Sequence, residues 1–441
     1  MSLKFGTDGV RGVAFEELTP ELVYGLGRAA ARVLGAGEPF YIGRDTRESG
    51  PPLQAALAAG LVAEGARVVD LGVMPTPGVA SVCAARHAPG AVVSASHNPY
   101  RDNGIKFFAR GGLKLVDDVE QRIEDHMRDL VPEAAVPETR QERDTDAAAA
   151  YEQLLLDSLE GRRLDGLSVV LDCAHGASAG IAPRVFRAAG ARVTVLHDAP
   201  TGTNINDGCG STHPEALQDA VVRVGADAGI AFDGDADRML AVDAEGNLVD
   251  GDHILAICAV DRRERDRLVG DTVVVTVLAN LGFRLAMDQH DVKVIETAVG
   301  DRYILEAMAD GGWTLGGEQS GHIIFRDLAT TGDGMLAGLQ LLDVVARSRR
   351  SLADLATVMT RTPQVMINVR EVDRGRLDDA TALWALVDKE SAELGGAGRV
   401  LLRKSGTEPI VRVMVEAPTE AHAHEVAQRI AVAVAEELAL G

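Results

Sequence analysis

Residues 40–71 read FYIGRDTRESGPPLQAALAAGLVAEGARVVDL, and the periodicity of this stretch decides the fold class. Phe40-Tyr41-Ile42-Gly43 is a short apolar run of strand type. Residues 53–63 are an Ala/Leu-rich run of helical type, and Arg67-Val68-Val69-Asp70-Leu71 returns to a strand. The same succession recurs downstream: a strand at 168–172, a helix at 180–189 and a strand at 191–196; then a strand at 272–278, a helix at 281–288 and a strand at 292–295. Strand and helical periods that alternate in this way predict α/β domains with mainly parallel sheets. EGARVVDLG and AGARVTVLH each place a helix end, a glycine and a strand in series. They lie over a hundred residues apart, which fits duplicated domains rather than a solenoid.

The pattern changes after Arg361-Thr362-Pro363. Strands at 365–369, 399–402 and 411–416 surround a helix at 381–394, and a last helix starts after Thr419, a residue suited to cap it. That helix carries Val426, Ile430, Val434 and Leu438 on one face. The expectation is therefore three similar α/β domains with mainly parallel mixed sheets and a smaller C-terminal α+β domain. A Pro/Glu/Thr/Ala-rich stretch at 131–150 and the run Leu248-Val249-Asp250-Gly251-Asp252 mark the joints. The boundaries drawn are 1–147, 148–250, 251–363 and 364–441.

Length and composition agree. At about 150 residues per domain, 441 residues make three or four. Hydrophobic residues at 46% and charged residues at 25% are ordinary for a globular chain that buries large cores. The net charge is 44 − 66 = −22, so no broad basic face exists to hold a nucleic acid. No run of eighteen apolar residues would span a membrane, and Met-Ser-Leu-Lys-Phe is no signal peptide. Cys83, Cys173, Cys209 and Cys258 form no CxxC, which excludes a disulfide scaffold or zinc ribbon and fits a reducing cytoplasm.

Four motifs carry chemistry. The strand Ala91-Val92-Val93 runs into Ser94-Ala95-Ser96-His97-Asn98-Pro99 and then Asp102-Asn103-Gly104-Ile105-Lys106, a polar loop at a strand end where open α/β sheets place their sites. A serine here reads as a nucleophile activated by charge or metal, or the segment is an Asn-Pro turn. GxSxG is absent, against a hydrolase elbow. The strand Ala228-Gly229-Ile230-Ala231-Phe232 ends in Asp233-Gly234-Asp235-Ala236-Asp237-Arg238. One Arg does not neutralise three crowded carboxylates, so a hard divalent cation, Mg²⁺ by default, fits, with a solvated acidic turn as the plainer reading. An EF-hand starting at Asp233 fails, because Arg238 and Ala244 stand where Gly and Glu are required. A haloacid-dehalogenase-type Asp-x-Asp site is weakened by Asp237, where that family has Thr or Val. Gly316-Gly317-Glu318-Gln319-Ser320-Gly321-His322 offers hydrogen bonds to sugar hydroxyls or is a turn. Arg403-Lys404-Ser405-Gly406-Thr407-Glu408-Pro409, with Arg412 beyond it, reads as a phosphate cradle or a basic surface loop.

Taken in order with Phe5-Gly6-Thr7-Asp8-Gly9-Val10-Arg11-Gly12, these segments resemble the α-D-phosphohexomutase superfamily from residue 5 to 417. The resemblance implies four domains around a central cleft, each supplying one loop. It implies that Ser96 carries the phosphoryl group and that Asp233, Asp235 and Asp237, completed by Ser96, hold one Mg²⁺. It places His97 and Arg238 at that phosphate, and Arg11 and Lys106 at proton transfer or oxyanion stabilisation. Glu318, Ser320 and His322 become sugar contacts. Arg403, Ser405, Gly406, Thr407 and Arg412 become the pocket for the non-reacting phosphate. The reaction implied interconverts glucosamine 6-phosphate and glucosamine 1-phosphate through a 1,6-bisphosphate, which also serves as activator. Preference for the amino sugar is expected from Gln319 or the Gly300-Asp301-Arg302 turn. A homodimer is compatible. Mutases of glucose or mannose phosphates and a Mg²⁺-dependent phosphatase are the competing readings; the phosphatase would not need the Arg403 loop.

Overall fold

The computed structural model describes residues 4–6, 8–130, 136–404 and 410–440. The first sheet contains β1 (Val10–Val13), β2 (Pro39–Arg44), β3 (Arg67–Val73), β4 (Gly90–Val93), β5 (Asp102–Phe108) and β6 (Glu142–Arg143), in the order β1-β5-β4-β2-β3-β6. β4, β2, β3 and β6 run parallel, whereas β5 is antiparallel to both β4 and β1. The second sheet contains β7 (Ser168–Asp172), β8 (Arg192–Leu196), β9 (Ala228–Phe232), β10 (Met239–Asp243) and β11 (Leu248–Val249), in the order β11-β10-β9-β7-β8. The third contains β12 (Thr272–Thr276), β13 (Lys293–Thr297), β14 (Leu315–Gly317) and β15 (Ile323–Phe325), in the order β13-β12-β14-β15. The fourth is antiparallel throughout: β16 (Gln364–Arg370), β17 (Arg399–Lys404) and β18 (Ile410–Glu416), in the order β16-β18-β17.

One rule places the motifs. In each of the first three sheets a parallel core is extended on one side by an antiparallel strand, and the motif loop is the connection into that strand. The Ser96 loop joins β4 to β5, the acidic loop joins β9 to β10, and the Glu318 loop joins β14 to β15. In the fourth sheet β17 and β18 are paired antiparallel. A short antiparallel connection is held by hydrogen bonds at both ends, which makes it a stiffer platform than a long crossover loop.

Hydrophobic periodicity explains the rest. The helix Gly50–Ala63 is apolar on nearly every side and buries Leu53, Leu57 and Leu61 against Phe40 and Ile42 of β2. It lies close against the helix Pro20–Leu34, which Thr19 caps by accepting the Leu22 N–H. A Cβ at Gly27 would stand 2.3 Å from the Leu57 carbonyl oxygen, and one at Gly60 would stand 2.0 Å from that of Tyr24, so these glycines set the helix spacing. The expected helix at 180–189 begins instead as a 3₁₀ turn, Ala177–Gly180, and becomes α-helical at Ala182–Ala188, with Pro183 in the first turn where its missing N–H costs nothing.

The chain divides into two units, Met1–Leu278 with Val292–Val358, and Ala279–Asp291 with Met359–Gly441. The helix Leu281–Gln289, expected as the third repeat's own crossover, belongs by its contacts to the second unit. There Asn280 Nδ2 and the Leu281 N–H both donate to the buried Glu416 carboxylate, at 2.9 and 3.2 Å. The last helix, Glu420–Glu437, is capped by Thr419, which accepts the His422 N–H. Val426, Ile430, Val434 and Leu438 are buried as the pattern predicts. Each such side chain contributes about 1.5–3 kcal/mol.

Candidate active site

β4 is buried along its whole length, and the chain that leaves it turns sharply: Ser96 has φ of 53°, in the left-handed region. Its side chain is buried, and its Oγ donates to Asp233 Oδ2 at 2.5 Å and lies 3.3 Å from His97 Nδ1. Arg238 brings Nη1 to 3.1 Å from the same His97 nitrogen. Burial, then Arg238 and Arg11, push the His97 imidazole down to about 4. His97 is therefore neutral near pH 7 and acts on its neighbours by hydrogen bonding rather than by charge.

The three carboxylates follow β9, and each has an oxygen within 4.8 Å of an oxygen of the other two. Neighbouring backbone fixes the loop: the Thr76 N–H donates to the Asp235 carbonyl, the Gly334 N–H to the Ala236 carbonyl and the Met239 N–H to the Gly321 carbonyl, each at 3.0 Å. All three Asp are at most 3% exposed. Burial, then Asp237 and Asp235, push Asp233 up to about 8. Asp235 Oδ1 and Asp237 Oδ1 are buried and have no hydrogen-bond partner. Orphaned carboxylate oxygens aimed into one small space are the donor set of a hard cation, so these residues fit a metal site.

Lys106, on β5 next to β4, is nearly fully buried. Its Nζ lies 2.8 Å from Asp8 Oδ2, 2.9 Å from Asp235 Oδ2 and 3.3 Å from Asp237 Oδ2. Burial alone would lower its pKa, but the three carboxylates raise it well above the ordinary lysine value. The three carboxylates thus favour its charged form. Arg11 pairs with Asp8 at 2.5 Å and its Nη1 reaches the Ala95 carbonyl at 3.5 Å, which puts it against the serine loop.

Glu318, Gln319 and Ser320 form the open part of the third loop. Ser320 is exposed and its Oγ donates to Glu318 Oε2 at 3.4 Å, while Gln319 Nε2 is buried and has no partner. Arg238 is held charged partly by Glu318, so this loop and the acidic loop share one electrostatic neighbourhood. His322, expected among the sugar contacts, instead turns inward. It is 2% exposed, its Nε2 is 3.2 Å from Asp301 Oδ2, and its Nδ1 is 3.7 Å from Asp237 Oδ1. Burial would lower its pKa, but the two carboxylates hold it at about 10. The Gly300-Asp301-Arg302 turn is engaged too: Asp301 pairs with Lys114 and His322, and Arg302 with Glu120 at 2.7 Å. These contacts tie the turn to Lys114, Glu120 and His322.

In the C-terminal unit, Arg403 of β17 stands directly opposite Arg412 of β18. Burial and Arg412 lower the Arg403 pKa. Ser405, Gly406 and Thr407 lie outside the described residues.

Several participants carry no motif signal. Thr76 opens a helix and donates its hydroxyl to Asp235 Oδ2 at 2.5 Å. Asp45, Arg47 and Asn206 hold the serine loop, while Lys114 pairs with Asp8 and Asp301, and Asp301 holds the His322 that faces Asp237. The signal available was charge: Arg47 and Asp45 stand in a stretch bounded by apolar runs, where burial was foreseeable and pairing was not.

Comparison with known proteins agrees along the chain. Residues 2–132, 148–246 and 250–362 match the α/β/α domains I, II and III of phosphoglucomutase/phosphomannomutase, and residues 366–433 match its C-terminal domain. The phosphoglucosamine mutase of Leifsonia xyli subsp. xyli is 54% identical over 450 residues, covering 99% of each chain. That of Thermobifida fusca is 52% identical over 448 residues, covering 100% of each. Among solved structures, a phosphoglucomutase/phosphomannomutase family protein from Burkholderia thailandensis superposes with a TM-score of 0.79 at 25% identity, over 98% of this chain and 97% of its own. The Aspergillus fumigatus N-acetylphosphoglucosamine mutase in complex with GlcNAc-6P and magnesium shares the fold, with a TM-score of 0.72 at 19% identity over 99% and 96%. No helix among the described residues is long and apolar enough to cross a membrane.

Proposed function

The chain belongs to the phosphoglucomutase/phosphomannomutase family and is an isomerase-class enzyme, and from that premise we propose that it interconverts glucosamine 6-phosphate and glucosamine 1-phosphate, with Ser96 as the phosphoryl carrier. One observation carries the reading: the hydroxyl of Ser96, at the end of a buried strand, lies 2.5 Å from the first of three clustered and buried aspartates. The amino-sugar substrate rests on the relatives at 52–54% identity, whose activity this is.

In the forward cycle the phosphoryl group on Ser96 Oγ passes to the free hydroxyl of the sugar phosphate. The P–O bond to serine breaks, one to the sugar forms, and the sugar's hydroxyl proton ends on the freed Ser96 Oγ. The resulting 1,6-bisphosphate turns over and returns its other phosphoryl group to Ser96 Oγ. Glucosamine 1,6-bisphosphate added from outside would act as activator by charging an unphosphorylated serine. Asp233, Asp235 and Asp237 would hold Mg²⁺, which when bound neutralises charge on the phosphoryl oxygens. Arg238 and Arg11 bring guanidinium charge to the serine loop, and Lys106 fixes Asp8, Asp235 and Asp237. Glu318 and Ser320 supply acceptors and a hydroxyl to the sugar, and the unpartnered Gln319 amide supplies a donor. Arg403 and Arg412, with Ser405, Gly406 and Thr407 of the adjoining loop, would take the phosphate that does not react. A reducing cytoplasmic setting fits the cysteines, all four free and buried.

The test is phosphorus NMR of the protein with glucosamine 6-phosphate, Mg²⁺ and a catalytic amount of bisphosphate. Glucosamine 1-phosphate should accumulate to equilibrium. Release of inorganic phosphate instead would make this a phosphatase.

A further inference from the structure

We propose that Arg47 and Asn206 are positioning residues that clamp the carbonyls of Ser96 and Asn98, and so hold Ser96 in the backbone conformation that aims its Oγ at Asp233. The inference rests on Ser96 being the phosphoryl carrier.

Ser96 has φ of 53°, a conformation that a serine leaves readily unless its surroundings impose it. Both faces of the loop supply that constraint. Arg47 Nη2 donates to the Ser96 carbonyl at 3.2 Å and to the Asn98 carbonyl at 2.6 Å. Asn206 Nδ2 donates to the same two oxygens, at 2.9 and 3.1 Å. Each carbonyl thus receives two N–H donors, one from the loop after β2 and one from the loop after β8.

The clamp is itself anchored. The Arg47 side chain is fully buried and paired with Asp45. Asp45 Oδ2 accepts the Ser94 hydroxyl at 2.6 Å, and Ser94 Oγ accepts the Ser96 N–H at 3.0 Å. The amide and the carbonyl of Ser96 are therefore both tied to one Asp45–Arg47 pair. Asn206 is fixed through its own N–H to the Ala174 carbonyl at 3.0 Å, and it also has positive φ, 58°, which asparagine accepts better than most residues. The close approach has a cost written in the sequence: a Cβ on Gly234 would stand 2.6 Å from the Ser96 carbonyl oxygen and 2.9 Å from Asn206 Nδ2. Only glycine lets the acidic loop, the serine carbonyl and the asparagine amide meet.

Every clamp contact is to backbone, so the hydroxyl of Ser96 stays available for transfer while its direction is set. Loss of the clamp should slow transfer and leave sugar affinity alone. Asn206→Gly keeps the left-handed backbone without strain and removes the donor. Asn206→Asp keeps the shape and puts a carboxylate oxygen against the two carbonyls. Arg47→Lys keeps the charge beside Asp45 and loses the planar fork.

The experiment measures kcat and KM for glucosamine 6-phosphate, and the rate constant and final extent of Ser96 phosphorylation by glucosamine 1,6-bisphosphate. For Asn206→Gly and Arg47→Lys, kcat and the phosphorylation rate constant should fall about 10–100-fold, as misplaced reacting groups do, with KM within about twofold and the final extent unchanged. Asn206→Asp should be slower than Asn206→Gly. Rates within about twofold of wild type in both donor-loss variants would overturn the clamp, and so would a normal rate constant with a reduced extent, which marks partial unfolding. A wild-type protein that takes no phosphate at Ser96 would instead sink the carrier reading.

Discussion

The Ser96 region and the Arg403–Arg412 pair of the C-terminal unit are built on different principles. Around Ser96 buried cations are set against carboxylates: Lys106 contacts three, His322 braces Asp237, and Arg47 is paired with Asp45. Asp235 Oδ1 and Asp237 Oδ1 remain without hydrogen-bond partners and suit a cation. In the C-terminal unit, Arg403 and Arg412 face each other across β17 and β18 with like charge. Chemistry demands fixed geometry, so the first region is buried and interlocked before substrate arrives. Binding gains from charge-assisted hydrogen bonds that form only with the ligand, so the second region's two guanidinium groups gain most when a phosphate enters.

That contrast predicts a ranking of effects. Ser96→Ala should abolish turnover, by about a thousandfold or more, with an unchanged circular dichroism spectrum, because Ser96 Oγ is the hydroxyl held on Asp233. Retained activity would move the chemistry to another group, Ser94 first. Chelation with EDTA should be nearly as severe and reversible on adding Mg²⁺, and Asp235→Ala should need much more Mg²⁺ or stay inactive. Full activity without divalent metal would show that the orphan oxygens serve another purpose. At the binding end, Arg403→Ala should raise KM by roughly one to two decades, since a charge-assisted hydrogen bond is worth about 1.5–3 kcal/mol and about 1.4 kcal/mol is tenfold. A fall in kcat with KM unchanged would erase the distinction between the two regions. Catalytic efficiency on glucosamine 6-phosphate should exceed that on glucose or mannose 6-phosphate by at least about tenfold. Equal use of the three would keep the family and displace the amino-sugar assignment. The smallest effect tests stability alone: Thr419→Ala removes a helix cap and should cost about 1 kcal/mol in a urea titration, without changing KM.

Much of this was legible before any coordinates. The strand at 168–172, the acidic loop after 228–232 and the capped last helix read directly from periodicity and cap chemistry, because each is a local property of the chain. Whereas the strand after the Arg403 loop was legible, the antiparallel strands that receive the first three motif loops, β5, β10 and β15, were not, because sheet order depends on partners distant in sequence. The same limit hid Thr76, Arg47 and Asn206, which act on residues 159, 49 and 110 positions away. It also misplaced His322, read as a sugar ligand from its neighbours Glu318 and Ser320. Its reversal of direction follows from two buried carboxylates, Asp237 and Asp301, one of them in a turn the motif does not include.

The most direct test is the site of phosphate on the protein itself. Wild-type protein is charged with glucosamine 1,6-bisphosphate and Mg²⁺, digested and mapped by mass spectrometry, and a second sample is chased with glucosamine 6-phosphate. One phosphate should be found on Ser96, and the chase should exchange it into sugar at the rate of turnover. Phosphate on another residue, or a Ser96 phosphate that the chase does not exchange, would contradict the account.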